Sequence, residues 1–283
     1  MFLRFKINQT INKSSIQEIY NLIPVQKLLK LADKDTLFIF DVDDVLITPS
    51  DEDNFKHPYR NQLWELIANK LTLEKREILE SSVVYVTKQV LVESRIINIF
   101  DYLKLQQIPT MALTAFGTGK FGVITKKEDF RIKELDSVGI SFLSLTPLRG
   151  EQLAIELENT NMIYSDLICK GIPTLKSGII LTAGVDKSVV LEYMFSHYQY
   201  YPDTIIFVDD CMRNIVSLKN LCIKLKINFY GLCYRAVYLM PLPVINEHLE
   251  KLRFDVLEQE CVWLGYSELL KKKYLNHSSY NFL

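Results

Sequence analysis

Along this chain short unbroken apolar runs alternate with longer stretches in which apolar residues return every three or four positions. LFIF at 37–40 and IIFV at 205–208 lack the alternation of a half-exposed strand, so each predicts a strand buried on both faces, as in a parallel sheet. IPTMAL at 108–113, ISFLSL at 140–145 and INFYGLCY at 227–234 predict further strands. Helical spacing is read over 14–32, where Ile16, Ile19, Tyr20 and Ile23 share a face and Pro24 divides the segment. It returns from Tyr59 to about Leu105, from Lys126 to Val138 with a stop at Gly139, from Asp186 onward, and from Arg213 to Leu225. VVYV at 83–86 is β-branched, yet the segment continues without Gly or Pro and is read as helix. Residues 146–178 are less regular; a short helix near 150–157 and a strand pair with arms DLICKG (166–171) and GIILTAG (178–184) are expected. Strands alternating with helices predict an α/β domain with a mostly parallel sheet.

The block at 49–106 is too long for a simple crossover and reads as a helical insertion over the mouth of a site. The chain then divides into a core of 1–48 and 107–245, the insertion at 49–106, a smaller second insertion at 146–180 and a C-terminal helical extension at 246–283. At 48% hydrophobic residues, a sizeable core is expected rather than disorder. The formal net charge of -1 supplies no electrostatic footprint for nucleic acid. Cys169, Cys211, Cys222, Cys233 and Cys261 form no C-x-x-C pair, which disfavours zinc and points to a reducing compartment. No apolar run approaches the roughly 20 residues of a membrane span, and polar residues interrupt the N-terminus too often for a signal peptide. A soluble cytoplasmic protein is expected.

Chemistry concentrates where the apolar runs stop. LFIF runs into Asp41, Asp43 and Asp44, and IIFV into Asp209 and Asp210. Buried carboxylates are costly without a cation, a proton or a catalytic duty to compensate them. In an open parallel sheet the carboxyl ends of the strands border the ligand crevice. Thr114 ends another predicted strand at that edge, and Lys187 opens a helix.

These residues resemble the motifs of the haloacid dehalogenase (HAD) superfamily: DVDDVL at 41–46, LTAFG at 113–117, Lys187, and FVDDCMRN at 207–214. The resemblance implies a Rossmann-like three-layer sandwich with a cap inserted after the first motif. It also implies a Mg²⁺-dependent phosphatase. Asp41 is then the nucleophile that forms an aspartyl-phosphate, and Asp43 the general acid and base. Mg²⁺ is held by Asp41, the backbone carbonyl of Asp43, Asp209 and Asp210. Thr114, Ala115 and Lys187 bind the phosphoryl group, with Thr114 and Lys187 counted among the catalytic residues. An acid at position 43 separates phosphoryl transfer from carbon chemistry, and Asp44 is expected to be a bystander.

The substrate implied is a phosphorylated small molecule or a phosphoprotein, with no nucleic acid partner. The chain further resembles a HAD-like family of intracellular bacteria in its DVDDVLITPSDE stretch, long insertion and late VDD, which adds export into a host as an alternative location. Two other readings are a catalytically idle binding protein on the same scaffold and a phosphomutase. Asn214 is expected to hydrogen-bond the loop of the acidic pair. His57, Arg149, Lys170 and Cys211 are weaker candidates, each more simply a surface or packing residue.

Overall fold

Four consecutive apolar residues leave no face for solvent, and the computed structural model buries the whole strand Thr36–Phe40 inside an eight-stranded sheet. The structure describes residues 14–50, 57–148, 153–154 and 167–278. In chain order the elements are β1 (Ser14–Ile19), α1 (Ile23–Leu29), β2 (Thr36–Phe40), β3 (Ile47–Pro49), α2 (Pro58–Ala68), α3 (Leu73–Val86), β4 (Gln89–Leu91), α4 (Arg95–Leu105), β5 (Thr110–Thr114), α5 (Lys127–Ser137), β6 (Leu153–Ala154), β7 (Thr174–Lys176), β8 (Ile179–Leu181), α6 (Lys187–Tyr198), β9 (Thr204–Asp209), α7 (Met212–Leu225), β10 (Asn228–Tyr234), α8 (Glu247–Glu260) and α9 (Tyr266–Ser278). Two short 3-10 turns lie at Leu167–Cys169 and Ala236–Leu239.

The strand order is β1-β10-β9-β2-β5-β8-β7-β6. Neighbours from β1 to β8 pair in parallel, and the β8-β7 and β7-β6 pairs are antiparallel. From β2 the chain builds outward on one side through β5 and β8, and later on the other through β9 and β10. That reversal puts a crevice beyond the carboxyl end of β2.

Alternation within the strands sorts their side chains into two layers. Phe38, Phe40, Ala112, Ile206 and Val208 join one apolar cluster, whereas Leu37, Ile39, Met111, Leu113, Ile205 and Phe207 join the other. Helix α4 packs into the first cluster through Ile96, Ile99, Phe100 and Leu103; α6 and α7 pack into the second through Val190, Leu191, Ile215 and Leu218. The result is the expected α/β sandwich of three layers. Each fully buried aliphatic or aromatic side chain contributes about 2 kcal/mol.

A third apolar cluster stands apart. Ile67 of α2 and Leu79 and Val83 of α3 pack against Phe254 and Leu257 of α8 and against Trp263. The helices after the first strand are thus joined to those at the C-terminus, which the sequence pattern treats as separate. A buried ion pair ties them, with Arg60 Nη2 2.6 Å from Glu250 Oε1.

Two expectations are corrected first. Residues 14–19 form edge strand β1 rather than helix, because pairing with β10 outweighs a weak helical spacing in a polar segment. Pro24 divides the segment as expected, opening helix α1. ISFLSL forms turns, not a strand: Leu145 and Thr146 both donate to Phe142 O, at 3.0 and 2.9 Å. The edge of β5 it would need is taken by β8, in the register Ala112↔Ile179.

The strand pair expected near 166–184 is displaced. Its first arm is the 3-10 turn, and the pair is β7 with β8. The helix expected near 150–157 falls mostly outside the described residues, and 153–154 belong to β6. Strand β4 pairs antiparallel with β3 in a separate two-stranded sheet. Among the described residues no helix is long and apolar enough to cross a membrane.

Candidate active site

Asp41 is the first residue past β2, and its N–H donates to Val208 O of β9 at 2.9 Å. Asp209 closes β9 itself, beside β2, and Thr114 closes β5 on the opposite side. The chain leaves β2 in a tight turn in which Leu46 and Ile47 both donate to Val42 O. Asp44 sits there at φ 63°, a left-handed conformation that Asp tolerates better than most residues. Its Oδ1 accepts from Thr48 Oγ1 at 3.1 Å. On the other flank Asp186 caps α6 by accepting from Ser188 N at 2.8 Å, which delivers Lys187 to the site.

Lys187 is 3% exposed, and its ammonium stands 2.8 Å from Asp41 Oδ1 and 2.7 Å from Asp209 Oδ2. Burial alone would lower its pKa, but the two carboxylates outweigh burial and raise it. Asp41 Oδ1 also accepts from Val42 N at 2.8 Å. Asp209 is fully buried and better supplied with donors: Cys211 N at 2.7 Å, and Asn214 Nδ2 at 3.1 Å from each oxygen.

Asp41 is the group left in excess. Burial pushes its carboxyl well above the usual carboxylate range; Lys187 pulls against that, and Asp209 and Asp43 add to it. Asp210 is raised by burial too, despite a 2.7 Å hydrogen bond from Tyr238 Oη. Among the described residues one ammonium thus pairs with two carboxylates while a third lies beside them. Oxygens of Asp41, Asp209 and Asp210 lie within 4.8 Å of one another and could hold a metal ion. Hard, negatively charged oxygens short of positive charge are a suitable donor set for a hard divalent cation.

Asp43 is half exposed and turned toward α5. Arg131 Nη2 donates to Asp43 Oδ2 at 3.1 Å, and Nη1 lies 2.9 Å from Oδ1. Thr114 Oγ1 donates to Asp43 Oδ2 at 3.3 Å and accepts from Phe116 N at 3.2 Å. The guanidinium is buried and stacked on Phe116, 3.9 Å from the ring centroid. Behind it Glu134 Oε2 lies 3.3 Å from Nη1, within ion-pair distance but without a hydrogen bond. Burial pushes the Glu134 carboxyl up to about 7, with Arg131 opposing.

A cavity of about 400 Å³ opens from Asp43 and Arg131 toward helices α2 and α3. Trp64 of α2, Val83 and Val84 of α3, and Phe116 and Phe121 supply apolar wall. Leu167 and Ile168 close another side, held by the loop after β5: Gly117 N donates to Ile168 O at 3.0 Å and Thr118 N to Lys170 O at 3.1 Å. The approach requires glycine, since a Cβ at Gly117 would stand 2.1 Å from Lys170 O. Lys127 Nζ completes it with hydrogen bonds to both carbonyls, at 3.0 and 2.6 Å.

The structure brings together Asp41, Asp209, Asp210 and Lys187, and separately Asp43 with Thr114. Ala115 is exposed beside them, and its carbonyl accepts from Gly184 N at 3.1 Å. Asn214 meets the acidic pair as expected. His57 instead caps α2, accepting from Tyr59 N at 3.2 Å, and Cys211 caps α7 through its backbone. Arg149 lies outside the described residues. Arg131, Glu134 and Tyr238 were missed from the sequence. A signal existed for the first two: Lys127, Glu128, Arg131 and Glu134 recur at helical spacing, and it is this charged stripe of α5 that is buried.

A model of the family described as "Protein of unknown function (DUF2608)" matches residues 12–269. No curated protein matches. A haloacid dehalogenase-like family hydrolase from Streptococcus pneumoniae is 12% identical over 69% of this chain and 93% of its own, with a TM-score of 0.34. A phosphoserine phosphatase structure described as a phospho-aspartyl intermediate analogue is 14% identical over 71% and 93%, with a TM-score of 0.32. A HAD family hydrolase from Salmonella enterica serovar Typhi is 13% identical over 71% and 68%, with a TM-score of 0.33. Overlaps that partial add nothing to the site, which stands on its own residues.

Proposed function

The chain belongs to the DUF2608 family, and from the site it carries we propose a Mg²⁺-dependent phosphomonoesterase of haloacid dehalogenase type, working through an aspartyl-phosphate on Asp41. The observation that carries this reading is the ammonium of Lys187 shared by Asp41 and Asp209 at adjoining strand ends, with Asp210 in reach of both. Asp41, Asp209 and Asp210 would hold Mg²⁺, which supplies positive charge against the phosphoryl oxygens. Lys187 orients Asp41 through Oδ1 and adds its own positive charge. A carboxylate oxygen of Asp41 bonds to phosphorus as the bond from phosphorus to the ester oxygen breaks. Asp43 delivers a proton to that leaving oxygen and then takes one from the water that attacks the acyl phosphate. The attack breaks the bond between Asp41 and phosphorus, releasing inorganic phosphate and free Asp41. Thr114 and Arg131 fix where Asp43 stands for both transfers.

The helical insertion serves as the cap, and the cavity beneath it as the seat of the leaving group. Substrates of this reading are phosphorylated small molecules or phosphoproteins. The test is turnover of a generic aryl phosphate with and without Mg²⁺, beside Asp41→Asn. Metal-dependent turnover that falls at least a thousandfold in the variant is the expected result, in line with losses of about 10⁴–10⁶ on removing a nucleophile. Turnover that needs no metal, or that survives in the variant, would falsify the reading.

A further inference from the structure

The cavity that opens from Asp43 has charges in its wall, yet they are spent on one another. Arg76 Nε lies 2.7 Å from Glu80 Oε1, and Arg131 is held between Asp43 and Glu134. Both arginines of the described wall are ion-paired, so their charge toward a second anion is offset, although Arg131 Nε and Nη1 make no hydrogen bond. Gln89 Oε1 and Glu134 Oε2, also of wall residues, are acceptors buried behind the wall without a hydrogen bond, and their negative potential disfavours a second anion in the cavity. What the wall offers instead is ring and branched aliphatic surface, from Trp64 and Phe121 to Val84 and Ile168. The volume, about 400 Å³, falls within the roughly 300–1,000 Å³ usual for small-molecule sites.

We propose that this cavity selects phosphomonoesters whose leaving alcohol carries an uncharged aromatic ring, and disfavours polyol phosphates and esters bearing a second anion. The inference rests on the phosphatase reading above and names the substrate class of the same site. Trp64 is the principal specificity residue: it is half buried in the middle of α2 and lines the cavity. The phosphoryl group sits at Asp41 and Lys187, and the ring extends past Asp43 toward Trp64.

The test uses the full chain with Mg²⁺ and compares benzyl phosphate with glycerol 3-phosphate and phosphoserine, all esters of alkyl alcohols, so that leaving-group reactivity does not decide the result. Expected is a kcat/KM for benzyl phosphate at least about tenfold above the other two. Trp64→Ala removes most of that preference through KM, whereas Trp64→Phe, which keeps a ring, retains it. A phosphotyrosine peptide compared with phenyl phosphate separates the two sources of such an ester: a peptide preference assigns a protein side chain, and exclusion of the peptide assigns a small molecule. Binding of benzylphosphonate and methylphosphonate, measured by calorimetry, reads the cavity without turnover, and the benzyl compound binds tighter by about tenfold in the wild type and in Trp64→Phe but not in Trp64→Ala. Turnover that is equal across the esters, or better for glycerol 3-phosphate or phosphoserine, overturns the proposal. No turnover of any ester, with the phosphonate difference intact, overturns the phosphatase reading and leaves the aromatic cavity standing. Loss of both discards the two together.

Discussion

Two clusters of buried charge, one at the ends of β2 and β9 and one between α2 and α8, are made from the same kinds of side chain and end with opposite balances. At the sheet edge the ammonium of Lys187 pairs with Asp41 and Asp209, and a third carboxylate, Asp210, lies close to both and accepts from Tyr238. Between the helices one carboxylate, Glu250, stands against two guanidiniums, with Arg60 at 2.6 Å, Arg253 at 4.0 Å, and Tyr266 donating to it as well. The second cluster is sealed in by its surroundings. Arg253 stacks on Trp263, 3.8 Å from the ring centroid, and donates to Leu264 O at 2.6 Å. Burial and proximity therefore do not mark a site by themselves. What separates the two among the described residues is the charge gathered and the exposure: carboxylates predominate at the sheet edge, where Asp210 is part-exposed, and ask for a cation, whereas the other cluster is closed by rings and carbonyls.

The sharpest way to break that comparison is to neutralise one carboxylate in each cluster. Asp41→Asn is expected to lose activity by the thousandfold or more already given, with a melting temperature unchanged or raised, because it removes a carboxyl that burial disfavours when charged. Glu250→Gln is expected to do the reverse. It removes the buried ion pair with Arg60 and costs about 3–4 kcal/mol, with kcat of the folded fraction unchanged. Denaturant melts and initial rates on both variants decide it. Equal destabilisation by the two changes would mean that both clusters are structural.

A smaller effect separates the clusters by what they bind. If the sheet-edge acids hold Mg²⁺, the ion at about a hundred times its Kd adds about 2.7 kcal/mol to folding. For a chain of this size that is a rise on the order of 5 °C in melting temperature. Asp209→Asn should abolish the rise, while Glu250→Gln keeps it on a lower baseline. A rise that persists in Asp209→Asn puts the ion elsewhere.

The two regions also differ in how far the sequence discloses them. The sheet edge is local in pattern: LFIF and IIFV are long enough to require strands buried on both faces, and each runs straight into its acids. Parallel pairing then aligns their ends, and the cap at Asp186 fixes Lys187. Arg60 and Glu250 are 190 residues apart, and no periodicity links α2 to α8. Charged residues in amphiphilic helices read as solvated, so the joining of insertion and extension was not legible. The same habit hid Arg131 and Glu134 inside a helix of mostly polar composition. ISFLSL failed for a third reason: its apolar residues are buried as expected, with Phe142 at 1% exposure, but burial does not require a strand when the neighbouring sheet edge is already taken.

Arg131 stands between the two cases, with two carboxylates on one guanidinium, and Glu134 is the partner that pH can remove. Its carboxyl is pushed from 4.5 up to about 7, chiefly by burial. Between those values the folded protein holds a proton that the unfolded chain has released, so folding takes up protons there and stability falls as pH rises. The contribution is fully present below about pH 4.5 and gone above about pH 7. Glu134→Gln carries no such group. The stability of this variant minus that of the wild type should therefore grow by on the order of 1–3 kcal/mol from pH 5 to pH 8, read from denaturant melts at each pH. Using the difference cancels the titration of every group the two proteins share. A flat difference would mean that Arg131 compensates the buried carboxylate in full, which would make this cluster a closed ion pair like that of Glu250 and not an extension of the site.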